Sequence, residues 1–428
     1  MQPEAKIIKR TQIAALKEHL EEKEITVLLG PRQVGKTTLM LALKNYLAKK
    51  KKIPAENIYY FNLDIVTDLE FFASQTRFIE FCRERITTGK FIYIFVDEAQ
   101  RIKETGLFFK GVYDAGMPLK IIISGSSTLE LKKKIGEPLT GRKKVFKIFP
   151  LSFDEFFNYK NESLKNLAYS SKILRQEEIQ EIKNIFNEYI IFGGYPRVAI
   201  ETNREKKKEF LEEIYNSYID KDIAGFLKVR DSLLFSNFVK YLAAQNGGLA
   251  NTNGISKTLN INQRTAQKYL HYLESTFVIQ KVAPFFTNTA KEIVKMSKIY
   301  FLDTGLRNYI FSDFSKLAER SDQEFLLENF VLNEMRAKLK LAEKINFWRS
   351  KDGRHEVDFI VRKGREIIPV ETKTKTETQL SASFHAFLSR YKPKKGFVVF
   401  GDGRENGTNE NSGVIQFIFA HKLPAIDL

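Results

Sequence analysis

Cysteine is almost missing from this chain of 428 residues: Cys82 stands alone, so no intramolecular disulfide and no cysteine-based zinc site can form. Tryptophan occurs once, and the five histidines lack the paired spacing of metal ligands. Trp348, His355 and His385 accordingly read as structural or surface residues. Long hydrophobic runs are lacking as well. The longest, such as Phe91–Val96, fall far short of the roughly 20 residues that span a bilayer. The first 24 residues hold neither the apolar block nor the small-residue cleavage site of a signal peptide. With 23 glycines and 11 prolines, the chain is too poor in both to be collagen-like or largely disordered. A soluble, cytoplasmic protein of about two to four domains, without a membrane partner, is the expectation.

Acidic residues are in deficit. Against 69 Lys and Arg stand 52 Asp and Glu, leaving a formal charge of +17. Such an excess suits a polyanionic partner: a nucleic acid, a nucleotide or an anionic membrane face. It is partly clustered, in Lys49–Lys52 and in Lys132, Lys133, Lys134, Arg142, Lys143, Lys144 and Lys147. Lysine-rich solvated surfaces share this composition, so charge needs a docking element before it means more.

Hydrophobic periodicity gives an amphipathic helix over residues 7–20 and a short apolar strand at Ile25–Leu29. A helix follows at Lys36–Lys49, then strands at Ile58–Asn62, Phe91–Val96 and Lys120–Ser124. Strands alternating with helices predict an α/β fold with a parallel sheet. That pattern stops near Pro150. Residues 151–245 read as helical, and residues 246–310 as two short helices and two extended runs. Beyond Gln323 a helix leads into strands near 346–348, 357–361 and 367–371, a helix near 384–390, and strands at 396–400 and 414–419.

The strongest motif follows the first strand. Gly30-Pro31-Arg32-Gln33-Val34-Gly35-Lys36-Thr37-Thr38 has the spacing G-x-x-x-x-G-K-[ST], in which a curled backbone turns its N–H groups onto phosphate oxygens. Lys36 then reaches the β- and γ-phosphates, Thr37 supplies a hydroxyl to Mg²⁺, and the helix start adds its dipole. About sixty residues on, an apolar strand runs into Asp97-Glu98. Asp97 suits the metal, and Glu98 suits the polarisation of an attacking water. The next strand ends in Ser124-Gly125-Ser126-Ser127. Ser124 and Ser126 are both eligible to sense hydrolysis, and simple turn chemistry explains them equally.

These motifs, with the LTGR run ending at Arg142 and FPLSFDEF at 149–156, resemble the prokaryotic ATPase family of the AAA+ superfamily, in which a P-loop domain precedes a carboxy-terminal domain of unassigned function. The resemblance implies ATP as ligand and hydrolysis as activity. It implies that Arg142 lies near the nucleotide or a subunit boundary as a finger or sensor, and so admits a homo-oligomer. Gly193-Gly194-Tyr195-Pro196-Arg197 is similar to a lid-helix motif whose arginine reaches the γ-phosphate.

Two later segments carry weaker signals. In residues 254–281 a short helix, a corner at Asn260–Asn262 and a second helix precede two extended runs, the order of a winged helix-turn-helix. Gln263, Arg264, Gln267 and Lys268 fall on the exposed start of the second helix, where they can meet bases and phosphates, DNA being favoured over RNA. Winged helices also serve as protein-binding modules. Farther on, Glu328 on a helix, Asp358 on a strand, and Glu371 and Lys373 two apart on the next strand resemble the PD-(D/E)xK nuclease arrangement. That likeness implies a second divalent metal.

The expected organisation is a P-loop AAA+-type domain at 1–150, a helical lid or linker at 151–245, a winged helix-turn-helix at 246–315 and a nuclease-like α/β domain at 316–428. Three readings compete: a Mg²⁺-dependent ATPase switch acting with nucleic acid, a metal-dependent nuclease regulated by ATP, and a non-catalytic ATP-binding scaffold.

Overall fold

The computed structural model describes residues 8–86, 91–125, 128–170, 172–218, 232–286, 292, 295–340, 342–376, 379–402 and 414–428. These form two compact units. The first comprises Lys9–Phe149 with Ser275–Phe277; the second comprises Ile8, Pro150–Glu274 and Val278–Leu428.

Five parallel strands build the first unit: β1 (Ile25–Leu29), β2 (Ile58–Asn62), β3 (Ile92–Asp97), β4 (Leu119–Gly125) and β5 (Lys143–Lys147), in the order β2-β3-β4-β1-β5. β1, β3 and β4 are buried along their whole length, as strands covered on both faces must be, which is why they read as unbroken apolar runs. The helix Lys36–Lys49 leaves the end of β1, and Leu39, Met40, Leu43 and Leu47 bury its inner face. At the start of the unit, the expected helix is shorter. Within the described residues it runs from Ile13 to Glu18 and tightens into a 3₁₀ turn at His19–Glu21, where buried His19 meets the Thr26 hydroxyl at 2.8 Å.

Sequence periodicity missed β5. Its residues are Lys-Lys-Val-Phe-Lys, and it forms the sheet edge beside β1. Lysines on an edge strand deter pairing with other chains. Much of the basic run is thereby spoken for. Lys143 donates to the carbonyls of Ile135 and Gly136 at the end of the helix Thr128–Ile135, and Lys134 donates to Gln100 and Ile102.

The second unit opens with the helices Phe153–Lys160, Glu162–Ala168 and Gln176–Phe192. The first starts in a capping box, where the Ser152 hydroxyl accepts from Glu155 N and the Glu155 carboxylate accepts from Ser152 N. A helix at Ser232–Ala244 precedes Thr252–Leu259 and Gln263–Ser275, which meet at Asn260 in the left-handed region (φ 51°). Asn262 caps the last of these, accepting from Arg264 N at 2.8 Å. Phe235 and Phe238 pack edge-on against Tyr269 and join the helix Ser232–Ala244 to Gln263–Ser275. A two-stranded antiparallel ribbon, β6 (Ile279–Val282) and β7 (Lys298–Phe301), follows.

Five further strands, β8 (Lys344–Arg349), β9 (Glu356–Lys363), β10 (Glu366–Lys375), β11 (Gly396–Asp402) and β12 (Ile415–Phe419), make a mixed sheet. β8, β9 and β10 pair antiparallel, whereas β10, β11 and β12 pair parallel. Alternation along β11 shows how the sheet is covered. Phe397 and Val399 face the helix Gln323–Lys338, and Val398 and Phe400 face the helix Ala382–Tyr391. No described helix is long and apolar enough to cross a membrane.

Candidate functional site

In the first unit, Leu28 pairs with Ser124 and Val96 with Ile123, so β1, β3 and β4 finish side by side. Ligands of open parallel sheets bind outside these carboxyl ends. Here the loop Gly30–Gly35 turns from β1 into its helix. Gln33 (φ 59°) and Gly35 (φ 91°) both adopt left-handed conformations, which curl successive N–H groups toward one side. Gly35 sits at the N-cap, where a side chain would be strained. Buried Val34 anchors the loop from beneath, and Arg10 ties it down by donating to Val34 O at 2.9 Å and Phe149 O at 2.7 Å.

Lys36 is buried, and its ammonium turns back on the loop, donating to Gly30 O at 2.9 Å and Pro31 O at 2.6 Å. A cation held by two neutral carbonyls in a concave amide loop is suited to an anionic ligand. Beside it, the exposed Thr37 donates its hydroxyl to Asp97 Oδ2 at 2.6 Å. The Tyr60 hydroxyl donates to the same oxygen at 3.0 Å, and the buried Ser124 hydroxyl to Oδ1. Burial pushes the Tyr60 phenol well up and the Asp97 charge adds to this, so Tyr60 remains a donor. Thr37 and Asp97 thus present adjacent oxygens of the kind hard divalent cations take. Glu98 lies one residue beyond β3 in a left-handed conformation (φ 58°), its carboxylate accepting from the Gln100 amide.

Among the sequence candidates, Gly30, Pro31, Arg32, Gln33, Val34, Gly35, Lys36, Thr37, Thr38, Asp97, Glu98 and Ser124 gather at this one edge. Ser124 is fully buried with its hydroxyl on Asp97, so it positions that carboxylate. Ser126 lies outside the described residues. Arg142 lies away from this edge. It precedes β5, which runs parallel to β1 with Lys143 beside Ile25, so it stands at the opposite end of the sheet from the loop. There it forms a two-pronged ion pair with Asp114, at 2.8 and 3.2 Å. Tyr60, Gln100 and Arg10 were missed. An isolated tyrosine in a strand, a buried glutamine and one arginine among many carry no spacing signal.

In the second unit, Gly193 and Gly194 are architectural. Gly193 adopts φ 75°, and a Cβ there would fall 2.2 Å from an Asp303 oxygen. Asp303 accepts from Gly194 N at 2.7 Å and Leu306 N at 2.8 Å; burial raises its carboxyl pKa to about 6 against the pull of these N–H groups. Arg197 pairs with Glu213 and lies over the Phe210 ring at 3.7 Å. On the helix Gln263–Ser275, Gln263, Arg264, Gln267 and Lys268 are exposed, while Ala266, Tyr269, Leu270, Tyr272 and Leu273 are buried.

The four carboxy-terminal candidates stand near the start of β9. The β9–β10 ladder ends at Phe359 and Val370, and Asp358 fills the splay by accepting from Thr372 N at 2.7 Å and Thr372 Oγ1 at 2.8 Å. Glu371 accepts from Ser381 at 2.9 Å and pairs with Lys373 at 3.1 Å. Glu328 accepts from Tyr300 at 2.7 Å. Burial raises the pKa of both Glu371 and Glu328. No group of three His, Cys, Asp or Glu among the described residues has the geometry to hold a metal. The second divalent metal expected here is therefore not supported.

Comparison with known proteins fits this geometry. Residues 22–157 match the family model for a AAA domain, residues 183–323 a domain of unknown function (DUF8612), and residues 323–418 another (DUF4143). An uncharacterized protein of Haemophilus influenzae is 27% identical over 81% of this chain and 82% of its own length. The uncharacterized protein MJ1544 of Methanocaldococcus jannaschii is 27% identical over 81% of this chain and 74% of its own. Among solved structures, the Aeropyrum pernix ORC2 protein in its ADP form aligns with a TM-score of 0.38 and 11% identity, covering 72% of this chain and 95% of that one. The first unit thus joins a match to a AAA domain with a P-loop edge, the parts of an ATPase-like domain.

Proposed function

We propose that the protein is a Mg²⁺-dependent ATP hydrolase whose nucleotide cycle governs binding of duplex nucleic acid by its second unit. The observation that carries the first half is the constellation at the sheet edge: the curled loop, Lys36, and the Thr37–Asp97 pair with Glu98 next to it. The loop amides and Lys36 hold the phosphates, while Thr37 and Asp97 hold the metal. Magnesium, when bound, supplies charge neutralisation between the β- and γ-phosphates. Glu98 orients the attacking water and takes its proton, released for that task from the Gln100 amide.

Ser126 and Arg197 keep their sequence-based assignment as γ-phosphate sensors within this proposal. Arg142, at the far end of its own sheet, meets a triphosphate only from a neighbouring copy in a homo-oligomer. The segment 232–301, three packed helices followed by an antiparallel ribbon, is read as a winged helix, with Gln263, Arg264, Gln267 and Lys268 facing DNA. The net charge of +17 favours that partner.

Phosphate release from ATP tests the reading. Lys36→Ala should abolish nucleotide binding and turnover together. Glu98→Gln should keep ATP affinity and lower turnover by about 100-fold or more. Turnover that persists in both variants ends the proposal.

A further inference from the structure

Lys298, which sequence analysis did not single out, changes the meaning of the carboxylates in the second unit. It lies on β7, fixed in register opposite Val282 and bridged to Leu249, so a strand delivers it and not a mobile loop. Only 5% of the residue is exposed. Its ammonium lies 2.6 Å from Glu356 Oε1, 3.7 Å from Glu328 Oε2 and 5.6 Å from the centroid of the Phe347 ring. Glu356 and Glu328 come from different elements, β9 and the helix Gln323–Lys338, and Asp358 is two residues along β9 from Glu356.

We infer that the Lys298 ammonium is the resident cation of this carboxylate pocket, occupying the place where a PD-(D/E)xK-shaped centre would keep its divalent metal, so that the sheet β8–β12 is not a metal-dependent nuclease.

Three features of the donor set carry the inference. First, each carboxylate already has a chain donor: Thr372 for Asp358, Ser381 and Lys373 for Glu371, Tyr300 for Glu328, and Lys298 with Arg349 for Glu356. Second, the ammonium and these donors together hold the oxygens apart, so that their convergence on an ion requires the ammonium to leave. Glu371 is drawn toward the N-cap of the helix Ala382–Tyr391, on one face of the sheet, while Glu328 projects from the helix on the other face. A divalent ion needs several oxygens converging within about 2.0–2.6 Å. Third, the ammonium stays charged. Burial alone would lower its pKa, but Glu328, Asp358 and Glu356 outweigh burial and hold it above the ordinary lysine value. A divalent ion entering beside it would meet a fixed positive charge in a poorly solvated pocket. Lys298, Glu328, Glu356 and Asp358 all belong to the second unit, so the inference stands independently of the nucleotide reading.

The test is Mn²⁺ binding to the full chain without nucleotide, read by electron paramagnetic resonance, alongside nicking of supercoiled plasmid in Mn²⁺. The wild type and Asp358→Asn should retain the same amount of Mn²⁺, and neither should nick. Lys298→Met, which keeps the stem and removes the charge, should gain one Mn²⁺ per chain, lost again in Lys298→Met/Asp358→Asn. A wild-type Mn²⁺ that Asp358→Asn removes, or wild-type nicking that Asp358→Asn abolishes, overturns the inference. So does a folded Lys298→Met chain that gains no ion. Should Lys298→Met not fold, the wild-type and Asp358→Asn comparison decides alone.

Discussion

Asp97 receives three side-chain hydroxyls, from Thr37, Tyr60 and Ser124. Thr37 is the exposed one, with the geometry of a co-ligand; the other two fix the direction in which the carboxylate points. Partners of this kind commonly change metal affinity by about 10–100-fold when removed. Ser124→Ala, a change of one buried oxygen, should therefore raise the Mg²⁺ concentration for half-maximal phosphate release by roughly ten-fold, with ATP affinity at saturating Mg²⁺ little altered. An unchanged Mg²⁺ requirement would show that Ser124 is mere turn chemistry. At this scale the sequence revealed what spacing encodes. Gly35, Lys36, Thr37 and the Asp97-Glu98 pair were legible because phosphate binding forces small, basic and hydroxyl residues into a fixed order. Tyr60, Gln100 and Lys298 were not, because their roles depend on which strand lies beside which, and no local pattern records that.

Among the elements, β1, β3 and β4 declared themselves by unbroken apolar runs, since a parallel strand buried on both faces has no polar side to show. β5 hid behind its lysines: of the basic run, Lys143 lies on a sheet edge and, with Lys134, donates to backbone carbonyls. The helix Gln263–Ser275 is the opposite case. Its buried stripe and exposed polar start were both legible from a 3.6-residue period, because one face packs on Phe235 and Phe238 and the other is exposed. If that exposed face meets a duplex, Arg264→Ala and Lys268→Ala should each weaken binding across all sequences. Each should also reduce the slope of log affinity against log salt by about 1. Fluorescence anisotropy of a labelled duplex between low and physiological salt measures this. Wild-type binding that is flat with salt, or slopes unaffected by both changes, would move the docking surface elsewhere or favour a protein partner.

Across the whole molecule, the chain divides its chemistry. The phosphate-binding loop and its acidic pair lie in the first unit, whereas the exposed helix and the lysine-filled carboxylate pocket lie in the second. In the sequence, apolar strand runs give way to helical periodicity near Pro150, and three domains are expected beyond it; residues 150–274 and 278–428 cluster as one compact unit. The reason is physical. The helix Gln323–Lys338 buries Leu326, Phe330 and Val331 in a core shared with Phe153, Phe186 and Tyr189 from the earlier helices, and such long-range packing leaves no trace in local periodicity. Nucleotide should consequently act on one unit's stability first. A ligand at a hundred-fold excess over its Kd stabilises the state that binds it by about 2.7 kcal/mol. For a unit of this size, that is a rise of roughly 8 °C in melting midpoint. Calorimetry of the full chain should show two transitions. ATP analogue with Mg²⁺ should raise one of them, that shift should vanish in Lys36→Ala, and the other should hold its place. A single transition would mean that the units unfold as one cooperative body, and two that climb together would mean that nucleotide occupancy is felt in both units.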